Sequence, residues 1–258
     1  MTKNCSYINV VTRNNRAVEN MLNGNLESAN EGFRECFVLV KECLAEESQH
    51  SSVDECDFEW SKRPQHWRSL KLTASPMVVQ RLQNEDFFVY NRPILFTYRT
   101  EGEEDRDWVG TGQLLSSAVI FNMALLFHLK AHATQNSKVM IKAQKLYLSV
   151  VKLADSTSER ELSRPLTTHA HKRLQYGNKW RHELGLAAMN NYTQLCHEMG
   201  ELERAEQVAF ALRSSLASVT RPDAFSRYEF DQILCNVLFL SLTNARTGSN
   251  RVSCAPAA

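Results

Sequence analysis

The sequence predicts an all-α chain, an irregular stack of antiparallel helical hairpins carrying one partly extended insert with room for a short strand. Three observations lead there. Apolar residues recur at three- and four-residue steps, as in Leu26, Ala29, Phe33, Phe37, Val40 and Leu44, which puts them on one helix face. The series Asn15, Gly24, Ala29 returns as Asn191, Gly200, Ala205, its members nine and then five residues apart both times. Aromatic and β-favouring residues concentrate in 87–100 (FFVYNRPILFTYRT), between the helical regions.

In chain order, residues 1–50 read as an N-terminal hairpin. A short helix covers 14–22, Asn23, Gly24 and Asn25 turn the chain because glycine and asparagine tolerate left-handed backbone, and a second helix carries the apolar stripe. Residues 51–112 read as an irregular insert. It opens on a polar stretch, 48–75, that holds Trp60 and Trp67. Residues 87–100 follow as a short strand or extended arm, which Pro93 keeps from a central position in a sheet. An acidic surface loop covers 101–107. Residues 113–246 read as further hairpins and a terminal helix, with helices at 114–130, 139–154, 179–199, 201–219 and 225–242 and a polar connection over 155–177. Residues 247–258 read as a flexible tail.

A third copy of the repeat has Asn122, Ala124 and Phe127 in one helix and Ala143, Tyr147 and Val150 in the next. Its asparagine-to-alanine step is 21 residues rather than 14, which points to a turn longer by seven. Small residues such as Ala124, Ala143 and Ala205 let helix backbones approach, and Phe33 or Tyr147 one turn later fills the space beside the contact. A single hairpin cannot bury its apolar face, so hairpins stack.

In these residues the chain resembles the tetratricopeptide repeat family. The best copy is 186–219, with the skeleton N-x-x-x-L-x-x-x-M-G-x-x-x-x-A; 118–155 matches at both helices, and 14–44 is faintest. Departures are Ala209 where the family has an aromatic residue and the missing proline after each copy. The stretches NMALLFHL, KAQKLYLSVVKLAD and NNYTQLCHEMGELERAEQ together also resemble a group of uncharacterised algal tetratricopeptide-like proteins. The resemblance implies a non-enzymatic scaffold that takes another protein or peptide on the concave face formed by the first helix of each hairpin. Carried onto this chain, that face holds Phe121, Leu125 and His128, and then Asn190, Gln194, His197 and Glu198. The same residues could instead hold the 51–110 insert in the groove, and both readings stay open. Ala118 and Ala187 stand where some family members carry a basic clamp for a C-terminal carboxylate, so that ligand is not expected.

A net charge of +1 speaks against a dedicated nucleic-acid binder. The alternative function, RNA association, rests on two basic-aromatic segments, 60–68 and 171–182, whose rings could stack on bases. His128 and His132 have zinc-compatible helical spacing but no third ligand nearby in sequence, and His169 and His171 alternate in an expected loop. Phosphate-cradling glycine motifs are absent, and Cys196 beside His197 points elsewhere on a helix. No catalytic residue, metal or cofactor is therefore expected. Seven cysteines without a C-x-x-C pair fit a reduced, intracellular protein, cytoplasmic or nuclear. The sequons at Asn4 and Asn191 read as chance. The most apolar run, SSAVIFNMALLFHL, falls short of a membrane span and reads as a buried helix.

Overall fold

A computed structural model describes residues 5–50, 70–75, 88–98, 112–156, 168–217 and 227–249. The described residues form seven helices and one two-stranded sheet. Helices α1 (Cys5–Leu22) and α2 (Leu26–His50) make the first hairpin, α3 (Gly112–Thr134) and α4 (Ser137–Ser156) the second, and α5 (Thr168–Glu198) and α6 (Leu202–Ala217) the third. Helix α7 (Arg227–Ser249) follows. Each second helix packs on the first helix of the next hairpin, α2 on α3, α4 on α5 and α6 on α7, so one apolar core runs through the stack. Strands β1 (Leu70–Ala74) and β2 (Ile94–Tyr98) pair antiparallel, with Leu72 opposite Phe96.

The repeated spacing corresponds to repeated turn chemistry. Gly24 and Gly200 adopt φ of 80° and 74°, and the bonds Asn25 N–H to Asn20 O and Glu201 N–H to Cys196 O, each 2.8 Å, close the two helix ends identically. In the second hairpin Gln135 takes the left-handed position at φ 50°, Asn136 N–H bonds Ala131 O at 3.3 Å, and Asn136 Oδ1 caps α4 through Lys138 N–H at 3.0 Å. That turn is as tight as the others, which corrects the expected expansion. The extra residues lengthen α3 beyond Asn122 and α4 before Ala143, so the hairpin is taller while its loop stays short. Ala29, Phe33, Ala143, Tyr147 and Ala205 are all buried at the hairpin contacts, and Ala209 is buried where an aromatic was missed.

Other expectations shift with the coordinates. Helix α1 begins well before residue 14, because Val10 and Val11 extend its buried face. Helix α5 begins at Thr168, so residues 168–177 are helical rather than connection, and His169 and His171 lie on helical, not extended, backbone. Helix α7 continues through Ser249, past the expected end at 242 and into the expected tail. Strand β1 lies within the polar stretch 48–75, where no strand was expected. The acidic loop at 101–107 and the segment 60–68 fall outside the described residues. Within α3, Leu114–Thr134 is by length and composition enough to cross a bilayer, longer than the run seen in the sequence, yet most of it is buried inside the fold. It is the central core helix.

The turns give a direct test. A Cβ on Gly200 meets nothing within 4 Å, so replacement by alanine strains only the backbone. Gly200→Ala is expected to lower unfolding free energy by about 1 kcal/mol, with unchanged helical circular dichroism, as read from urea denaturation.

Candidate functional site

The first helices α1, α3, α5 and α7 line a groove, and an extended segment of the chain itself, residues 88–98, lies in it. Burial of that segment sets a strict condition. Each main-chain N–H and C=O removed from water needs a partner. Four asparagines, one from each of these helices, meet it. Asn236 Oδ1 accepts from Phe88 N–H at 3.0 Å while its Nδ2 donates to Phe88 O at 2.6 Å. Asn191 does the same to Tyr90, at 2.8 and 2.9 Å. Asn122 takes Ile94, at 2.7 and 2.8 Å, and Asn15 takes Phe96, at 2.9 and 2.6 Å. The arm therefore crosses the helices in reverse chain order, from α7 to α1.

Two further asparagines tie the clasps together. Asn14 Nδ2 donates to Ile94 O at 3.0 Å, and its Oδ1 accepts from Asn122 Nδ2 at 3.0 Å. Asn190 Nδ2 donates to Phe88 O at 3.0 Å, and its Oδ1 accepts from Asn236 Nδ2 at 2.7 Å. In an extended chain successive residues present their main-chain groups to opposite edges. The helices take Ile94 and Phe96, which leaves Leu95 and Thr97 for the β1 edge opposite Thr73 and Lys71. Arg92, the residue between the clasps, turns its guanidinium to Glu229 at 3.0 and 3.1 Å and to Ser75 O at 2.7 Å. Val89, Tyr90, Ile94 and Phe96 are buried, and Tyr90 meets Phe121 edge-on at 5.8 Å between ring centroids.

Below the groove a polar cluster joins α3, α4 and α5. His128 Nδ1 lies 3.3 Å from Tyr147 Oη, which also accepts from Asn191 Nδ2 at 3.1 Å. His132 Nε2 lies 3.2 Å from Glu198 Oε2, close but not aligned as a hydrogen bond. Glu198 Oε1 accepts from Gln194 Nε2 at 2.9 Å. Burial, and then the neighbouring His132, lower the His128 pKa from 6.5 to about 3, so its imidazole is neutral. The Glu198 carboxylate raises His132 against the opposing effect of burial. Burial pushes Glu198 up, but His132, His128 and Gln194 together hold it below its ordinary value.

The seven residues expected to contact a peptide thus separate. Phe121 and Asn190 touch the resident arm. Leu125 belongs to the core. His128, Gln194 and Glu198 form the polar cluster, and His197 is half-buried near the end of α5. The principal arm contacts, Asn15, Asn122, Asn191 and Asn236, were not among those seven. Their signal was present for three, since Asn15, Asn122 and Asn191 occupy one repeat position. Asn236 sits on a helix without a visible hairpin partner, and no spacing marks it. Of the basic-aromatic segment 171–182, Trp180 and Arg181 are buried, which removes that ring from any stacking surface. Asn191 is fully buried, so its sequon is not an accessible acceptor in the fold. Cys196 is buried and its thiol is pushed up to about 11, chiefly by burial, far from a nucleophile's range.

Two expectations follow. Asn191→Ala removes four hydrogen bonds, two to Tyr90 and one each to Asn190 and Tyr147, and strands the buried Tyr90 main chain, so it is expected to cost about 3 kcal/mol, with the half-buried Asn15→Ala costing less, both read from urea midpoints. The second concerns pH. Below 6.5 an unfolded chain protonates its histidines, while His128 in the fold stays neutral down to about 3. This residue therefore withdraws stability as pH falls through that window, by up to about 1.4 kcal/mol per unit. His132 acts above it, contributing fully below 6.5 and losing its effect as pH rises through its raised folded value. Glu198 contributes above 4.5 and loses its effect as pH falls through its lowered folded value. With a chelator present, stability between pH 6.5 and 5 should fall as pH is lowered, and His128→Gln should flatten that slope.

Set against protein-family models, curated proteins and solved structures, the chain matches none.

Proposed function

We propose that this is a non-enzymatic helical-repeat interaction module of tetratricopeptide type. Its groove grips an extended chain by the main chain, and the 88–98 arm is the resident occupant that an extended segment of a partner protein replaces. One observation carries the reading: four asparagines, one per first helix, pair in bidentate fashion with the backbone of Phe88, Tyr90, Ile94 and Phe96. An amide that takes both the N–H and the C=O of one residue is indifferent to that residue's side chain. Any extended non-proline residue satisfies it. Selectivity then comes from the pockets that receive Tyr90, Ile94 and Phe96, a division of labour typical of strand-type peptide recognition.

The arm is tethered within the same chain, so it competes at an effective concentration of about millimolar. A partner segment must match its backbone contacts and improve on its side chains. A labelled peptide of residues 87–98 tests this in trans. The double variant Tyr90→Ser with Phe96→Ser weakens the arm while leaving the asparagines intact. It is expected to bind the peptide at least about tenfold more tightly than the unaltered chain, because more of the population has an open groove. Adding Asn122→Ala should reverse that gain. A folded double variant that binds no peptide would overturn the reading.

A further inference from the structure

The cluster below the groove has a feature that internal packing leaves unaccounted for. One ligand atom each from His128, His132 and Glu198 lies within 4.8 Å of the other two, and His128 Nε2, His132 Nε2 and Glu198 Oε2 make no hydrogen bond. His128 is 0% exposed. A fully buried ring nitrogen without a partner is costly, and that of His128 is left unmatched beside the His132–Glu198 ion pair, an arrangement that packing alone has no reason to keep. We propose that His128, His132 and Glu198 bind one divalent transition-metal ion, zinc by the chemistry of the donors, which ties α3 to α5 beneath the groove.

The geometry fits such an ion. Tetrahedral zinc with N and O ligands places donor atoms about 3.3 Å apart. His132 and Glu198 already stand at 3.2 Å, and the remaining separations, none above 4.8 Å, close with small side-chain shifts. The i, i+4 histidines lie on one face of α3, and the carboxylate comes from the last residue of α5. The other donor atoms are committed in the manner of supporting groups around a metal. Glu198 Oε1 is held by Gln194, which leaves Oε2 for the ion. His128 Nδ1 faces Tyr147 Oη, and an N–H donated there leaves the Nε2 lone pair free to ligate. Two imidazoles and one carboxylate suit zinc and its neighbours better than magnesium or calcium, and a water completes the fourth position. The third ligand was invisible in sequence because Glu198 lies 66 residues beyond His132.

The test uses the full chain, stripped with chelator and dialysed against zinc, with metal counted by mass spectrometry. One ion per chain is expected. His132→Ala and Glu198→Gln, both at half-buried positions, should lose it while keeping helical circular dichroism. Tyr147→Phe should bind about ten- to a hundredfold more weakly, as loss of a supporting hydrogen bond does. Cobalt(II) separates this site from the cysteines, since nitrogen and oxygen ligation gives no thiolate charge-transfer band. The proposal fails if the unaltered chain holds no ion. It fails equally if cobalt shows the thiolate band and the two ligand variants retain it. Neither measurement depends on exchange of the arm, so the metal site and the peptide-binding reading stand or fall separately.

Discussion

An extended chain has no internal hydrogen bonds, so burying one among helices is possible only if the helices supply partners for its backbone. That constraint organises this protein. Helical backbone is already satisfied by its own ladder, so the supply must come from side chains. Asparagine is the residue that carries a donor and an acceptor on one short planar group. Six of them reach the arm here, four pairing with both main-chain groups of one residue and two, Asn14 and Asn190, donating to an arm carbonyl while bridging to Asn122 and Asn236. Every helix that faces the arm has to present its amide at one height. The common repeat position of Asn15, Asn122 and Asn191 is therefore a consequence of the register of one strand.

The arm in turn closes what would otherwise be exposed. Its outer edge pairs with β1, its inner edge is taken by the amides, and Tyr90, Ile94 and Phe96 complete the apolar core between the first helices. Arg92 interrupts the clasps and ties the arm to α7 through Glu229. The strand edge that invites unwanted pairing in other proteins is thereby sealed on both sides.

Groove and polar cluster share a residue. Tyr147 Oη stands between Asn191, which holds Tyr90, and His128, which opens the cluster with His132 and Glu198. The longer α3 and α4 make room for this layer. The added turn of α3 carries His132, one turn beyond His128, against the end of α5, where Glu198 meets it. A change at the cluster therefore has a short physical route to the arm, from His128 through Tyr147 and Asn191 to the Tyr90 main chain.

What the sequence determined by itself was local. Helical periodicity, the glycine turns at Gly24 and Gly200 and the small-then-large contacts at Ala29–Phe33 and Ala143–Tyr147 gave the all-α class and the hairpins, because each depends on residues within one or two turns. The aromatic content of 87–100 marked the extended arm for the same reason. Helix ends drifted where polar residues weaken the pattern, as at Thr168 and Ser249. What only the tertiary structure decided was pairing across distance. The occupant of the groove, the role of Asn236, the strand β1 and the meeting of Glu198 with His128 and His132 join residues from 20 to 148 positions apart. No local preference encodes those encounters. They arise because a buried backbone amide or imidazole nitrogen must find a partner wherever the fold brings one within reach.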